Sequence, residues 1–203
     1  ITVGMVFVAH PDMRPFFVVA VAGVILIVIG VLFLVATTKD SDSFRVMRVL
    51  VWLQPEKYSD EGGYQTLQAL YAIGSGGLFG RGLGNSIQKL GSVPEAQNDM
   101  IFSIICEEMG AAGAIFLIFL FAMLLWRLGV AAMHAKDLAG ALICCGIMGH
   151  LAVQVILNIA VVTNTIPNTG ITLPFISYGG TSVVFLLGEM GLAMNVGKCD
   201  RMS

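Results

Sequence analysis

Charge is scarce in this chain. Asp, Glu, Lys and Arg together make up 12% of its 203 residues, while 57% are hydrophobic. Soluble domains carry about twice that share of charge, so the balance excludes an ordinary solvated domain and points to the membrane. A mean hydropathy of +0.86 agrees. Basic residues are also few, 11 against 13 acids, so no positive surplus is available to attract nucleic acid, and none is expected as a partner. Cysteine is sparse as well. Cys106, Cys144, Cys145 and Cys199 show no CxxC spacing, and the adjacent pair 144–145 points in different directions on a helix. Neither a disulfide framework nor a zinc site follows; the thiols read as small buried hydrophobes, and no metal site is expected from them. Internal repeats, low-complexity tracts, a signal peptide and lipidation motifs are all lacking. The chain opens at Ile1 inside an apolar run, ITVGMVFVA, which reads as the tail of a span in a fragment without its N-terminal part.

What the chain does have is long apolar runs. A helix needs about 20 apolar residues to cross roughly 30 Å of hydrocarbon. Residues 16–36 are 21 residues without a charge, and further spans are expected at 100–126, 138–163 and 181–197, with a partial one at 1–9. The fold class is therefore all-α, a polytopic integral membrane bundle in one transmembrane domain over 1–203. Polar or Pro/Gly-rich segments separate the spans at 10–15, 37–98, 127–137 and 164–180. The loops at 10–15 and 127–137 and the tail share one side by parity and carry Arg14, Arg127, Lys136, Lys198 and Arg201; loop 164–180 opposite carries no Lys or Arg. The first group is expected in the cytoplasm and the loops 37–98 and 164–180 outside. At 62 residues, the 37–98 loop is far longer than ordinary connections. Its segments FRVMRVLVWL (44–53) and 64–78 suggest short helices at the outer interface.

Some polar residues fall where lipid is expected. His150, Gln154 and Asn158 are spaced four apart, one stripe on a helix. Such a stripe either lines a substrate path or holds helices together, and the second reading is preferred. Glu107, Glu108 and Glu189 are its expected partners. Segment 164–182, NTIPNTGITLPFISYGGTS, contains Pro167, Pro174, Gly170, Gly179 and Gly180 and so cannot form a regular helix. A folded or re-entrant loop is expected, with Thr181 or Ser182 capping the last helix. In SVPEAQNDMIFSIICEEMG (92–110), four acids cross the polar–apolar boundary. Asp99 stands at the outer mouth of its span. An Asp there is an ordinary N-cap, and from spacing alone that reading is preferred.

GGYQTLQALYAIGSGGLFGRGLGNSIQKLGSVPEAQNDMIF (62–102) and ITLPFISYGGTS (171–182) closely resemble the SEDS family (FtsW, RodA, SpoVE) of shape, elongation, division and sporulation proteins. The resemblance covers essentially the whole chain, as the C-terminal half of a ten-helix protein. GNSIQK (84–89) leans toward the FtsW or SpoVE branch. The resemblance implies a peptidoglycan glycosyltransferase that polymerises lipid II at the outer face of the bacterial cytoplasmic membrane. It also implies a class B penicillin-binding protein as partner, with other divisome or sporulation membrane proteins. The family's essential acid falls on Asp99 and its paired basic residues on Arg45 and Arg48. Glu95, Ser177, Gly179 and Gly180 lie in the same motifs and are expected at the substrate. No cofactor follows from the residues; a divalent cation, Mg or Mn, stays open. The family often has His-Thr where this chain has Gln97-Asn98, and a Lys where it has Thr169, which puts any role of that lysine in doubt. Two other functions share the sequence features: a lipid II flippase, needing polar residues at mid-membrane, and a non-catalytic scaffold, tolerant of losing Asp99.

Overall fold

The computed structural model describes residues 44–58, 63–88 and 97–199, together with helical positions 22, 25, 26 and 29 in the first long apolar run. Among the described residues every regular element is a helix. The order is α1 Phe44–Leu53, α2 Gly63–Gly76, α3 Ile101–Met133, α4 Leu138–Val162 and α5 Gly180–Cys199. The expected partial span 1–9, and most of 16–36, lie outside the described residues. Helices α1 and α2 occupy the long 37–98 connection, where the sequence suggests short helices. By length and composition, Ile101–Met133, Leu138–Val162 and Gly180–Gly197 are able to cross a membrane. The chain is thus a multi-pass membrane protein.

Two boundaries differ from expectation for simple reasons. The helix expected at 100–126 continues to Met133, because a single arginine, Arg127, does not break a helix; the turn that follows shrinks to 134–137. The last helix begins at Gly180, so Thr181 and Ser182 lie inside its first turn and neither is the residue before it.

Helix α3 has 33 residues, about 50 Å at 1.5 Å per residue, more than the bilayer core requires. It is broken at Gly110, whose φ of 68° and ψ of −169° are not helical. Glycine is required there, since the φ is left-handed and a Cβ would strike the backbone of Leu78 and Gly80. A break in a membrane helix exposes backbone groups that must find partners. Here the segment after α2 supplies them. Arg81 and Gly82 donate N–H groups to the carbonyls of Glu107 and Glu108, and Ala111 and Ala112 donate to Gly77 and Leu78. The break also leaves a charge-free run of 18 residues, Met109 to Trp126, about one hydrocarbon thickness. Glu107 and Glu108 consequently belong to the short leg above it and not to mid-membrane.

Two apolar cores follow. The first joins α2, the short leg of α3, the end of α4 and the irregular segment after it, through Ala69, Met100, Phe102, Ile104, Val155 and Leu173. The second lies between α3, α4 and α5, through Leu128, Cys144, Ile147, Leu151, Leu186 and Ala193. Outside these cores large apolar side chains are exposed, among them Phe116, Phe119, Trp126, Phe185 and Met194. In water that surface would aggregate; in a bilayer it faces a solvent of its own polarity. Cys106 and Cys144 are buried, and neither they nor Cys145 form a disulfide.

Candidate functional site

Asp99 sits in a turn, residues 97–100, that leads into α3. The N-cap position of that helix is Met100, with φ −101° and ψ 13°. The N-cap role open to Asp99 therefore falls to its neighbour. The physical reason is local: the N–H and the hydroxyl of Ser103 both bond to the Met100 carbonyl, at 3.0 and 2.7 Å, and start the winding one residue later.

The turn itself is held from outside. Three successive backbone carbonyls each accept a bond from a distant residue. Gln97 accepts from the Tyr178 N–H at 2.8 Å, Asn98 from the Ser177 hydroxyl at 2.6 Å, and Asp99 from the Asn158 amide at 2.8 Å. Asn158 is fully buried and also donates to the Ile171 carbonyl at 2.7 Å. The Ser177 hydroxyl in turn accepts from the Leu173 N–H at 2.7 Å. The irregular segment 163–179 is folded onto the turn by these bonds, and Asp99 is left 9% exposed.

The carboxylate is reached from α2. Gln65 Nε2 donates to Asp99 Oδ1 at 3.4 Å. The Gln65 carbonyl oxygen accepts from Asn168 Nδ2 at 3.4 Å, and Arg48 Nη1 donates to the Asn168 backbone carbonyl at 3.5 Å. A reciprocal pair docks α1 on the same segment: Trp52 Nε1 donates to the Asn164 carbonyl at 3.0 Å, and Asn164 Nδ2 to the Trp52 carbonyl at 3.3 Å. Asn164 has a φ of 56°, a conformation asparagine tolerates better than most side chains.

Of the residues expected at the site, Asp99, Arg48 and Ser177 are thus brought into one cluster. Ser177 is buried and its hydroxyl both donates and accepts within the protein, so it serves as a strut of the turn and not as a surface offered to substrate. Gly179 and Gly180 lead into α5. Arg45 is on α1, three residues from Arg48 and hence on the same face, but its side chain lies outside the described residues, as does all of Glu95. Sequence reasoning missed Gln65, Asn168, Trp52 and Asn164. The one available signal was the pair of asparagines inside a Pro/Gly-rich segment.

The polar stripe divides along its length. Gln154 Nε2 donates to the Thr172 carbonyl at 3.1 Å, so Gln154 and Asn158 hold the irregular 163–179 segment and not, as expected, a neighbouring helix. His150 Nδ1 lies 3.0 Å from Glu189 Oε2 on α5, one of its expected partners. Glu107 turns elsewhere: fully buried, it accepts from the Ser86 hydroxyl and the Ile87 N–H, with Arg81 at 3.7 Å. Among the described residues no group of three His, Cys, Asp or Glu side chains gathers as a metal set, and the named contacts of Asp99 are amides.

A family model described as cell cycle protein, covering FtsW, RodA and SpoVE, matches residues 1–202. Stage V sporulation protein E of Bacillus subtilis is 46% identical over 161 residues, 79% of this chain and 44% of that protein. The probable peptidoglycan glycosyltransferase FtsW of the same organism is 40% identical over 178 residues, 88% of this chain and 44% of that protein. Among solved structures, a chain from a peptidoglycan synthase complex, described for its coordination of polymerization and crosslinking, superimposes with a TM-score of 0.69 at 26% identity. That superposition covers 98% of this chain and 53% of the other. The chain thus spans under half the length of these curated relatives.

Proposed function

The chain belongs to the FtsW/RodA/SpoVE family, and from that premise we propose that it carries the base of a peptidoglycan glycosyltransferase polymerising lipid II. The observation that supports this most is the turn at 97–99. Three consecutive carbonyls are tied to other elements so that one carboxylate stands at a fixed place at the head of a membrane span. Such outlay on the backbone of an acid is what a positioned reactant needs.

In this reading the 4-hydroxyl of one sugar attacks the anomeric carbon of a second, and Asp99 takes the hydroxyl proton. The glycosyl–oxygen bond to the undecaprenyl pyrophosphate breaks as the new bond forms, with inversion. A single displacement needs one base, unlike the two-carboxylate arrangement of hydrolases. Negative charge gathers on the leaving pyrophosphate, and Arg45 and Arg48 on α1 are the cations assigned to it. The excess of Lys and Arg in the opposite loops supports an extracytoplasmic position for this cluster. A class B penicillin-binding protein is the proposed crosslinking partner. No step is routed through a metal; polymerisation with and without a chelator decides whether Mg or Mn takes part.

Asp99→Asn keeps size and most hydrogen bonding while removing basicity. General-base assistance is worth about 10²–10⁴-fold, and lipid II polymerisation by the membrane-embedded protein should fall by that order. Glycan chains of normal amount would sink the assignment of Asp99 as the base. Arg45→Ala with Arg48→Ala should raise the lipid II concentration needed for half-maximal rate. Unchanged kinetics would remove both from the site. A flippase would instead lose transport when His150 or Glu189 is changed and tolerate Asp99→Asn.

A further inference from the structure

Gln65 lies outside every residue role considered so far, and its contacts have a direction. The Gly170 N–H donates to Asn168 Oδ1 at 3.0 Å. That fixes which end of the Asn168 amide carries oxygen, so its nitrogen faces Gln65 and donates to Gln65 Oε1 at 3.4 Å. The Gln65 amide is oriented in turn, and its nitrogen is the group presented to Asp99 Oδ1 at 3.4 Å. An amide nitrogen can only donate. The chain of three bonds therefore ends in a donor aimed at the acid, and it begins at a glycine whose φ of 69° suits few other residues.

We infer that Gln65 is a positioning residue for the reaction, oriented by Asn168, which holds Asp99 Oδ1 as a hydrogen-bond acceptor and so keeps the acid in its proton-accepting form. This rests on the reading of Asp99 as the base. Helix α2 and residues 163–179 contain no charged side chain. Helix α1 contributes Arg45 and Arg48, the latter bonded to the Asn168 carbonyl. On α4 the titratable groups are His150, paired with Glu189, and Cys144 and Cys145; on the short leg of α3 they are Cys106, Glu107 and Glu108, with Glu107 engaged by Arg81 and Ser86. Tyr64 and Tyr71 of α2 and Tyr178 are the remaining titratable groups on these elements.

A hydrogen bond to a carboxylate favours its charged form. Removing it raises the pH at which the base becomes protonated, and activity is lost as pH falls through that point. Gln65→Leu should therefore reduce lipid II polymerisation by about tenfold or more at neutral pH and move the acid limb of the pH–rate profile upward. Gln65→Glu, of equal size, places a like charge beside Asp99 and should move the limb further. Asn168→Ala should shift it in the same direction by less. The assays use the membrane-embedded protein, with thermal melts to count folded molecules; if the leucine variant does not fold, the glutamate variant carries the test. An acid limb that stays in place in the folded variants overturns the inference, whatever the rate. Comparing Gln65→Leu with Asp99→Asn separates the two readings. Loss of activity in Asp99→Asn, beside an acid limb moved upward in Gln65→Leu, supports both. An inactive Asp99→Asn beside an unmoved profile in Gln65→Leu removes Gln65 alone. A fully active Asp99→Asn removes both.

Discussion

Asp99 and Glu107 are two buried acids eight residues apart at the head of one helix, and they are used in opposite ways. Glu107 employs its side chain to hold backbone and side chains elsewhere: the Ile87 N–H, the Ser86 hydroxyl and the Arg81 guanidinium all converge on it. Asp99 has its own backbone held, together with that of the two residues before it, by Asn158, Ser177 and Tyr178. One acid is a fastener. The other is a part that is fastened. The difference separates a structural carboxylate from a candidate reactant without reference to charge alone, because both are buried and both accept hydrogen bonds.

Exchanging each acid for a neutral residue breaks this comparison most directly, and the largest expected effect is on Asp99. Asp99→Asn should cost about 10²–10⁴-fold in polymerisation while its melting temperature stays near that of the parent, since the three carbonyl contacts do not involve the carboxylate. Glu107→Ala should do the reverse. It takes the Glu107 acceptor from the buried Ser86 hydroxyl, at about 1–3 kcal/mol, while the Ile87 N–H, on a residue 60% exposed, can turn to solvent and adds less. The Arg81 contact is discounted, because at 40% exposure its guanidinium can return to solvent. A thermal melt in detergent should show the loss, with activity per folded molecule retained. If Glu107→Ala folds as well as the parent and yet abolishes polymerisation, the two acids are not distinguished in this way.

How much of this was legible in the sequence depends on what carried the signal. Apolar runs showed the helices of the membrane domain, because bilayer thickness sets their length. The break at Gly110 was not visible, since glycine is common in membrane helices and its φ is set by the approach of residues 78–80 from another element. The stripe at 150, 154 and 158 was visible as a period; His150 meets another helix at Glu189, whereas Gln154 and Asn158 hold irregular backbone. Their partners were not visible, because they are backbone carbonyls with no residue identity. Glu107 looked like a partner for that stripe only because both seemed to lie at membrane depth; the break places it higher, beside Arg81. Gln65 and Asn168 are neutral amides separated by 103 positions, and no local pattern marks such a pair.

The smallest effect sharpens the comparison by testing the fasteners themselves. Gln154 and Asn158 are on one face of α4, and both anchor the 163–179 segment, yet only Asn158 touches the turn that carries Asp99. Asn158→Leu strips acceptors' partners from two carbonyls, one of them that of Asp99 itself, and should lower both stability and turnover. Gln154→Leu strips one, the Thr172 carbonyl, and, as Asn158→Leu also does, removes a buried amide oxygen that has no partner. These two consequences oppose each other. Measured interhelical polar contacts in membranes average about 0.6 kcal/mol, so the net loss should not exceed about 1 kcal/mol. Turnover per folded molecule should be unchanged, because the Asp99 turn keeps all three of its ties. A thermal melt and a lipid II assay on the two variants, side by side, read the difference. Equal loss of turnover in both would mean that the segment and the turn move as one body, and that Asp99 is positioned by the whole outer cluster and not by its own three bonds.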